Sequence, residues 1–410
     1  MDRARVIIVG GGITGIATAY DLALRGLDVV VLERGEVASA ASGRHHGLLH
    51  SGARYALTDL ESARECIQEN TILRRIAPGT FELNDGLFVA LTEEDLALRD
   101  DFLAGCAAAG IPARPLSPQE ALRREPNLNP HLLAAVQVPD GTCDAWRLVA
   151  RFLASARAAG AEVRPYHEVL DVLVQAGRVT GVEVRDHIRN RTYRLEADLV
   201  VNAAGPWAGR IAAMAGVQVP VRPSPGVMVA VEGRFTHMVV NHLHKPGDGD
   251  IIVPQRLCSL IGTTAWFTED PDRVEMPRDH VEAMLRLGAD LVPAVARAPF
   301  KAAWWAVRPL VAASDAADDR EVSRTFRCFD HQARDGLAGF VSILGGKAIT
   351  ARAMAQATAD AVCAQLGIEA PCRTAELTLL PHYAYEWPSL SPTPSAPAPR
   401  PGGERPPERP

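Results

Sequence analysis

The chain has 410 residues, 47% hydrophobic and 22% charged, with 43 Lys and Arg against 49 Asp and Glu for a formal net charge of −6. That length exceeds one ordinary core and predicts two lobes with additions, while the scattered, mildly acidic charge excludes a nucleic-acid partner held on a broad basic face. Seven cysteines form no C-x-x-C pair and no His/Cys cluster at metal spacing, so reduced thiols and no metal are expected.

The first strand, Val6-Ile7-Ile8-Val9, starts almost at once, so no signal peptide is expected. No apolar run approaches the roughly 20 residues of a membrane span, so a cytoplasmic protein is expected, with peripheral contact at the inner face of the membrane left open. The strand runs into Gly10-Gly11-Gly12-Ile13-Thr14-Gly15 and a helix to Arg25. Gly10 permits a tight turn, Gly12 leaves the backbone open to a pyrophosphate, and Gly15 lets helix and strand pack closely. The helix N-terminus then offers its N–H groups to phosphate. After Gly26 a second strand ends at Glu33, the offset of a carboxylate that holds ribose hydroxyls, which argues against a 2′-phosphate cofactor. These features predict a dinucleotide site and leave NAD and FAD open.

Residues 60–77 and 93–109 show helical periodicity around an extended segment at 81–91. A helix at 145–159 follows Asp144 as N-cap and leads to a strand at 162–164. Residues 169–174 and 179–185, joined by Gln175-Ala176-Gly177-Arg178, predict a hairpin. Next, 197–203 reads as a buried strand entering the small residues Ala203-Ala204-Gly205 and a helix from Trp207 to about 215, where little side-chain bulk opposes a flat ligand. Strands dominate 219–264, a helix is expected over 269–291, and this β-rich region extends to Arg308. Residues 339–350 then return to strand, glycine turn and helix, followed by an alanine-rich helix at 351–366. A chain that leaves its nucleotide lobe and returns at the end has the pattern of a flavin oxidoreductase. Beyond Pro381 the composition turns to Pro, Ser, Ala, Gly, Glu and Arg, which predicts a disordered tail.

The densest chemistry lies in residues 41–55, with His45, His46, His50, Arg44, Arg54 and Tyr55 in one short loop. Ser42, Gly43 and Gly47 allow backbone N–H groups near a cofactor, and Arg54 and Tyr55 reach toward an anionic substrate.

The chain resembles the FAD-dependent glycerol-3-phosphate dehydrogenases, most closely the A subunits of the bacterial anaerobic enzymes, over residues 1 to about 377. The resemblance rests on residues 43–55, on Val138-Pro139-Asp140-Gly141-Thr142, on Val201-Asn202-Ala203-Ala204-Gly205, on Val307-Arg308-Pro309-Leu310-Val311, and on Asp335-Gly336-Leu337 with Gly345-Gly346-Lys347. It departs from the family at Ala351, where a tyrosine is usual, and at Pro225, where a lysine is usual. The C-terminal cysteine-containing domain of those relatives is expected to be missing, with the proline-rich tail in its place.

The resemblance implies an α/β fold: a Rossmann-like FAD-binding domain of the DAO flavoprotein type with an inserted β-rich substrate domain. Its expected segments are 1–80, 141–218 and 309–380 for the FAD domain, 81–140 for a cap, 219–308 for the substrate domain and 381–410 for the tail. The implied reaction oxidises sn-glycerol 3-phosphate to dihydroxyacetone phosphate on FAD, with quinone or a partner subunit receiving the electrons. The expected catalytic residues are His50, Arg308 and Lys347, with His50 as base and Lys347 as its alternative or as a charge beside the flavin pyrimidine ring. Arg54, Tyr55, Arg308 and Arg324 are expected to bind substrate, because guanidinium groups grip phosphate oxygens in pairs. The expected cofactor residues are Gly10, Gly12, Ile13, Thr14, Gly15, Glu33, Arg34, Ser42, Gly43, His46, Gly47, Leu48, Val169, Ala203, Gly205, Trp207, Gly345, Gly346, Lys347 and Thr350. Two other readings stay open: an FAD enzyme for a 2-hydroxy acid such as L-2-hydroxyglutarate or for an amino acid, and a flavin-binding subunit without turnover.

Overall fold

The computed structural model describes residues 5–245, 247–311 and 325–385. Arg5–Val9 is the inner strand of a six-stranded sheet, paired in parallel with Leu199–Asn202 on one side and Asp28–Leu32 on the other. Glu162–Arg164 extends the sheet beyond Asp28–Leu32, and Phe340–Gly345 and then antiparallel Phe326–Asp330 extend it on the far side. Strands buried on both faces read as continuous Val and Ile runs, as here, because helices cover the sheet. Ala145–Ala158 and Ala351–Leu366 each pack against Ile13–Leu24 over one face, and Val6, Ile8, Ile16 and Phe152 are all at most 1% exposed in that core. The other face carries a three-stranded antiparallel sheet, His167–Gln175, Arg178–Asp186 and Arg191–Glu196, so the expected hairpin gains a third strand.

The second lobe is one eight-stranded sheet. Phe300–Val311 pairs with Val221–Glu232, then come Cys258–Gly262, Ile251–Gln255, Val239–His242, Gly86–Ala90, Ala134–Val138 and Arg114–Leu116. Residues of the expected cap and of the expected substrate domain therefore share one sheet, joined where Val239–His242 runs parallel to Gly86–Ala90. The strand bearing Arg308 continues past the expected boundary to Val311.

Three expectations change in detail. The helix over 269–291 begins only at Arg278, because Pro277 at its N-cap cannot continue a helix backward, and Asp270 and Asp272 pair with Arg210 instead. The helix over 93–109 breaks at Leu98 into Glu93–Ala97 and Arg99–Ala109. The segment beyond Pro381 keeps a turn at His382–Ala384, with Arg157 stacked on Tyr385 at 4.9 Å, and the remainder of the expected tail lies outside the described residues.

Ser342, His331 and Asp335 form a serine–histidine–carboxylate chain of 2.9 and 2.5 Å. Ser342 and His331 are fully buried, so this chain ties the last parallel strand to its neighbouring turn and meets no substrate.

Candidate active site

The glycine turn is built by exclusion. Gly10 has φ +113°, and a side chain there would stand 2.5 Å from the Ala203 carbonyl oxygen; one at Gly15 would stand 2.0 Å from the carbonyl oxygen of Gly10. Gly12 differs, because its φ of −72° suits any residue and a Cβ there would meet only the Ser42 hydroxyl at 3.0 Å. The helix it caps has no acidic residue in its first turn and no side-chain cap, so its positive end is left for an anion. Ser42 accepts the Ile13 N–H at 2.9 Å, and Glu33 accepts the N–H groups of Gly11 at 2.7 Å and Gly35 at 2.8 Å, which fixes the carboxylate over the turn.

Beyond the turn a cavity of about 560 Å³ opens between the lobes. Of the expected residues, Ile13, Thr14, Ser42, His46, Leu48, His50, Arg54, Tyr55, Arg308, Gly345, Gly346 and Lys347 line it. Gly43, Gly47 and Thr350 stand behind this wall. A Cβ at Gly43 would collide with Trp146, one at Gly47 with Gln255, and the Thr350 hydroxyl accepts the Lys347 N–H at 2.9 Å. Val169 packs under the sheet with Val9 and Leu32. Ala203 and Gly205 follow the strand Leu199–Asn202 beside the glycine turn, with Gly205 at φ +56°. Arg34 and Trp207 lie elsewhere: Arg34 stacks on Trp207 at 4.1 Å and both bind Asp272, at 2.7 and 3.0 Å, at the rim of a smaller cleft of about 230 Å³. Arg324 lies outside the described residues. His45 of the expected polar loop also lines the cavity, as do Asp59, Gly247, Asp248 and Thr263 from outside the expected set; for the loop among them, the run Gly247-Asp248-Gly249-Asp250 is a turn signal that could have pointed to it.

A larger open groove of about 1510 Å³ lies at the N-terminal ends of the parallel strands. Ligands of such sheets bind at the opposite ends, and here Arg5 is paired with Asp28 at 2.8 Å, so the smaller cavity is the chemical one.

The cavity wall is electrostatically uneven. Arg308 donates to the Ser224 hydroxyl at 3.1 Å and to the carbonyl oxygens of Pro225 and Thr264, each at 3.0 Å. Lys347 holds its ammonium 4.7 Å from the centre of the Tyr55 ring, which stacks on His50 at 5.1 Å. Burial pushes His45 down to about 4 and His46 to about 3, with Arg54 and Arg308 adding to the effect on His46. Burial, then Lys347 and Arg54, hold His50 well below the ordinary imidazole range. All three rings are thus neutral near pH 7. His45 accepts the Gly47 N–H and His50 the Gly52 N–H through Nδ1, each at 3.0 Å, so both neutral rings carry hydrogen on Nε2. Those Nε2 atoms, and Nδ1 of His46, are buried with no protein partner. Glu65, on the helix Leu60–Ile76, is pushed up to about 7 by burial while Lys347 pulls it down.

These features fit a flavin dinucleotide. Gly12 carries no side chain at the helix start where a pyrophosphate would pass, a second glycine turn at Gly345-Gly346 lines the same cavity, and orphaned imidazole nitrogens belong to its wall. Among the described residues no group of three His, Cys, Asp or Glu is placed to hold a metal ion, and no helix is long and apolar enough to cross a membrane.

Fold and site together define a flavin-dependent oxidoreductase, and the chain belongs to the FAD dependent oxidoreductase (DAO) family, which matches residues 5–360. More particularly, it is 46% identical over 376 residues to the A chain of the anaerobic glycerol-3-phosphate dehydrogenase of Escherichia coli strain K12, spanning 91% of this chain and 69% of that one. The corresponding A1 chain of the Haloferax volcanii enzyme is 44% identical over 90% of this chain. Among solved structures, the glycerol-3-phosphate dehydrogenase of Bacillus halodurans complexed with FAD superposes with a TM-score of 0.71 at 25% identity, covering 95% of this chain and 70% of that one.

Proposed function

We propose that this chain oxidises sn-glycerol 3-phosphate to dihydroxyacetone phosphate on FAD and hands the electrons to a quinone or to a partner subunit. The observation that carries this reading is the convergence of Arg54, Arg308 and Lys347 with neutral imidazole donors on one cavity beside a dinucleotide turn. A phosphate dianion suits fixed guanidinium groups, and a secondary hydroxyl suits a ring N–H that positions its oxygen. Bound FAD supplies the acceptor for the hydride from carbon.

In this reading Arg54 and Arg308 hold the phosphate and orient the carbon skeleton. His50 donates from Nε2 to the substrate oxygen. A neutral ring with its hydrogen on Nε2 has no lone pair there, so in this tautomer His50 orients the hydroxyl oxygen, and only the free-amine form of Lys347 carries the lone pair that takes the hydroxyl proton. The E. coli relative is one subunit of a larger enzyme, which supports a partner as electron acceptor. Product analysis tests the reaction: dihydroxyacetone phosphate should form one for one with reduced two-electron dye, and dye reduction without that product would refute it.

A further inference from the structure

The Arg54 side chain is held by a loop of the other lobe. Its Nη1 pairs with Asp250 Oδ2 at 2.7 Å, and its Nη2 donates to the Gly247 carbonyl oxygen at 3.0 Å. The same Asp250 oxygen accepts the Gly247 N–H at 2.9 Å, so arginine, carboxylate and peptide close a ring. Asp250 immediately precedes the strand Ile251–Gln255, and its carbonyl oxygen accepts the His242 N–H at 2.9 Å, closing the hairpin from Val239–His242. Gly249 has φ +63°, and a Cβ there would stand 2.8 Å from Leu287 and Met284, so the turn is seated on the helix Arg278–Leu291. Gly247 and Asp248 of this loop line the cavity beside Arg54.

We propose that Asp250 is the positioning residue for Arg54, fixing the guanidinium across the lobe boundary in the orientation that meets the phosphate of the substrate. The inference rests on the glycerol 3-phosphate reading for the substrate and on geometry for the clamp. A long arginine side chain surrenders rotamer freedom whenever it grips a ligand, and a clamp that holds both η nitrogens beforehand removes that loss from the binding step. Asp250 is 3% exposed, yet its Oδ1 is buried with no partner. Its other oxygen, Oδ2, is shared between Arg54 and Gly247. His244 flanks the same oxygen at 3.8 Å.

The test uses the full FAD-loaded chain and two readouts: steady-state kinetics with glycerol 3-phosphate, and the shift in flavin absorbance on titration with inorganic phosphate. Asp250→Ala should raise KM and weaken phosphate by roughly tenfold or more, the loss expected for a charge-assisted bond, while kcat stays within about threefold. Asp250→Asn keeps an oxygen for Arg54 and Gly247 and should recover most of both. In the Arg54→Ala background, Asp250→Ala should add nothing. Unchanged KM and phosphate affinity in Asp250→Ala, additive effects in the double variant, or equal loss in Asp250→Asn would each overturn the proposal. If Asp250→Ala yields no flavoprotein, Asp250→Glu decides, since moving the carboxylate by one methylene should raise KM alone, and an unaltered KM refutes the clamp. The phosphate titration needs no turnover, so its outcome is separate from whether glycerol 3-phosphate is the substrate.

Discussion

Nδ1 of His50 accepts the backbone N–H of Gly52 at 3.0 Å, and this bond decides which proton the ring can move. With Nδ1 occupied by a donor, the neutral ring presents Nε2–H to the cavity, and nearby Lys347 and Arg54 reinforce burial in keeping it neutral. His50→Asn should then lower kcat by roughly 10² to 10³, the usual loss for one oriented donor, while the shape of the pH profile is retained. A limb near pH 7 is assigned instead to Glu65, pushed up to about 7 and facing Lys347, Arg327, Glu61 and Asp59. Profiles of kcat for His50→Asn and Glu65→Gln check this: only the second should lose the limb, and its loss in the first would make His50 the base.

The three depressed imidazoles make stability depend on pH. His45 and His46 titrate at about 4 and about 3 in the folded chain and His50 well below its ordinary range, against about 6.5 unfolded. Between those values the unfolded chain binds protons that the folded chain does not, so stability rises with pH there and is lost as pH falls below about 6.5. Urea unfolding of the FAD-free protein should show a drop of about 4 to 6 kcal/mol from pH 7 to pH 5, nearly 2 per ring, and His45→Gln should remove about a third of it. An equal slope in the variant would assign the dependence to other groups.

Two glycines of the first turn should separate folding from cofactor binding. Gly15→Ala forces a Cβ to 2.0 Å from a backbone oxygen and should reduce soluble protein. At Gly12 the added methyl meets only the Ser42 hydroxyl, so Gly12→Ala should fold with an unchanged circular dichroism spectrum yet carry little FAD. Full flavin content in Gly12→Ala would place the pyrophosphate elsewhere.

Arg308 serves both the fold and the site. Its bonds to Ser224, Pro225 and Thr264 tie the strand Phe300–Val311 to its neighbour Val221–Glu232 and to the segment after Cys258–Gly262. Arg308→Ala should lower kcat/KM by about 2 to 4 kcal/mol's worth and reduce the unfolding midpoint, since three acceptors lose a charged donor. Unaltered kinetics with a lowered midpoint would leave Arg308 a purely structural residue.

The nucleotide end of the site was legible because its logic is local: strand, glycine turn, helix and answering acid fall within residues 6–33, and backbone sterics fix their relation. The loop of His45 to Tyr55 was legible by its density of polar chemistry. What could not be read is what faces it. Asp250 and Gly247 reach Arg54 across 193 or more positions of sequence, through a sheet whose strands interleave two distant segments. The clasp of Arg34 and Trp207 on Asp272 was hidden for the same reason, since its partner lies where helical periodicity masked the break at Pro277. Thr350, one of the expected cofactor residues, bonds through its hydroxyl to the N–H and carbonyl of Lys347, a local bond that periodicity does not display.

Anaerobic titration of the FAD-loaded protein with sn-glycerol 3-phosphate tests the central claim most directly. Full bleaching of the oxidised flavin band is expected, with dihydroxyacetone phosphate as product and no bleaching by L-2-hydroxyglutarate or glycine. Bleaching by the 2-hydroxy acid or the amino acid and not by glycerol 3-phosphate, or a flavin that none of them reduces, would contradict it.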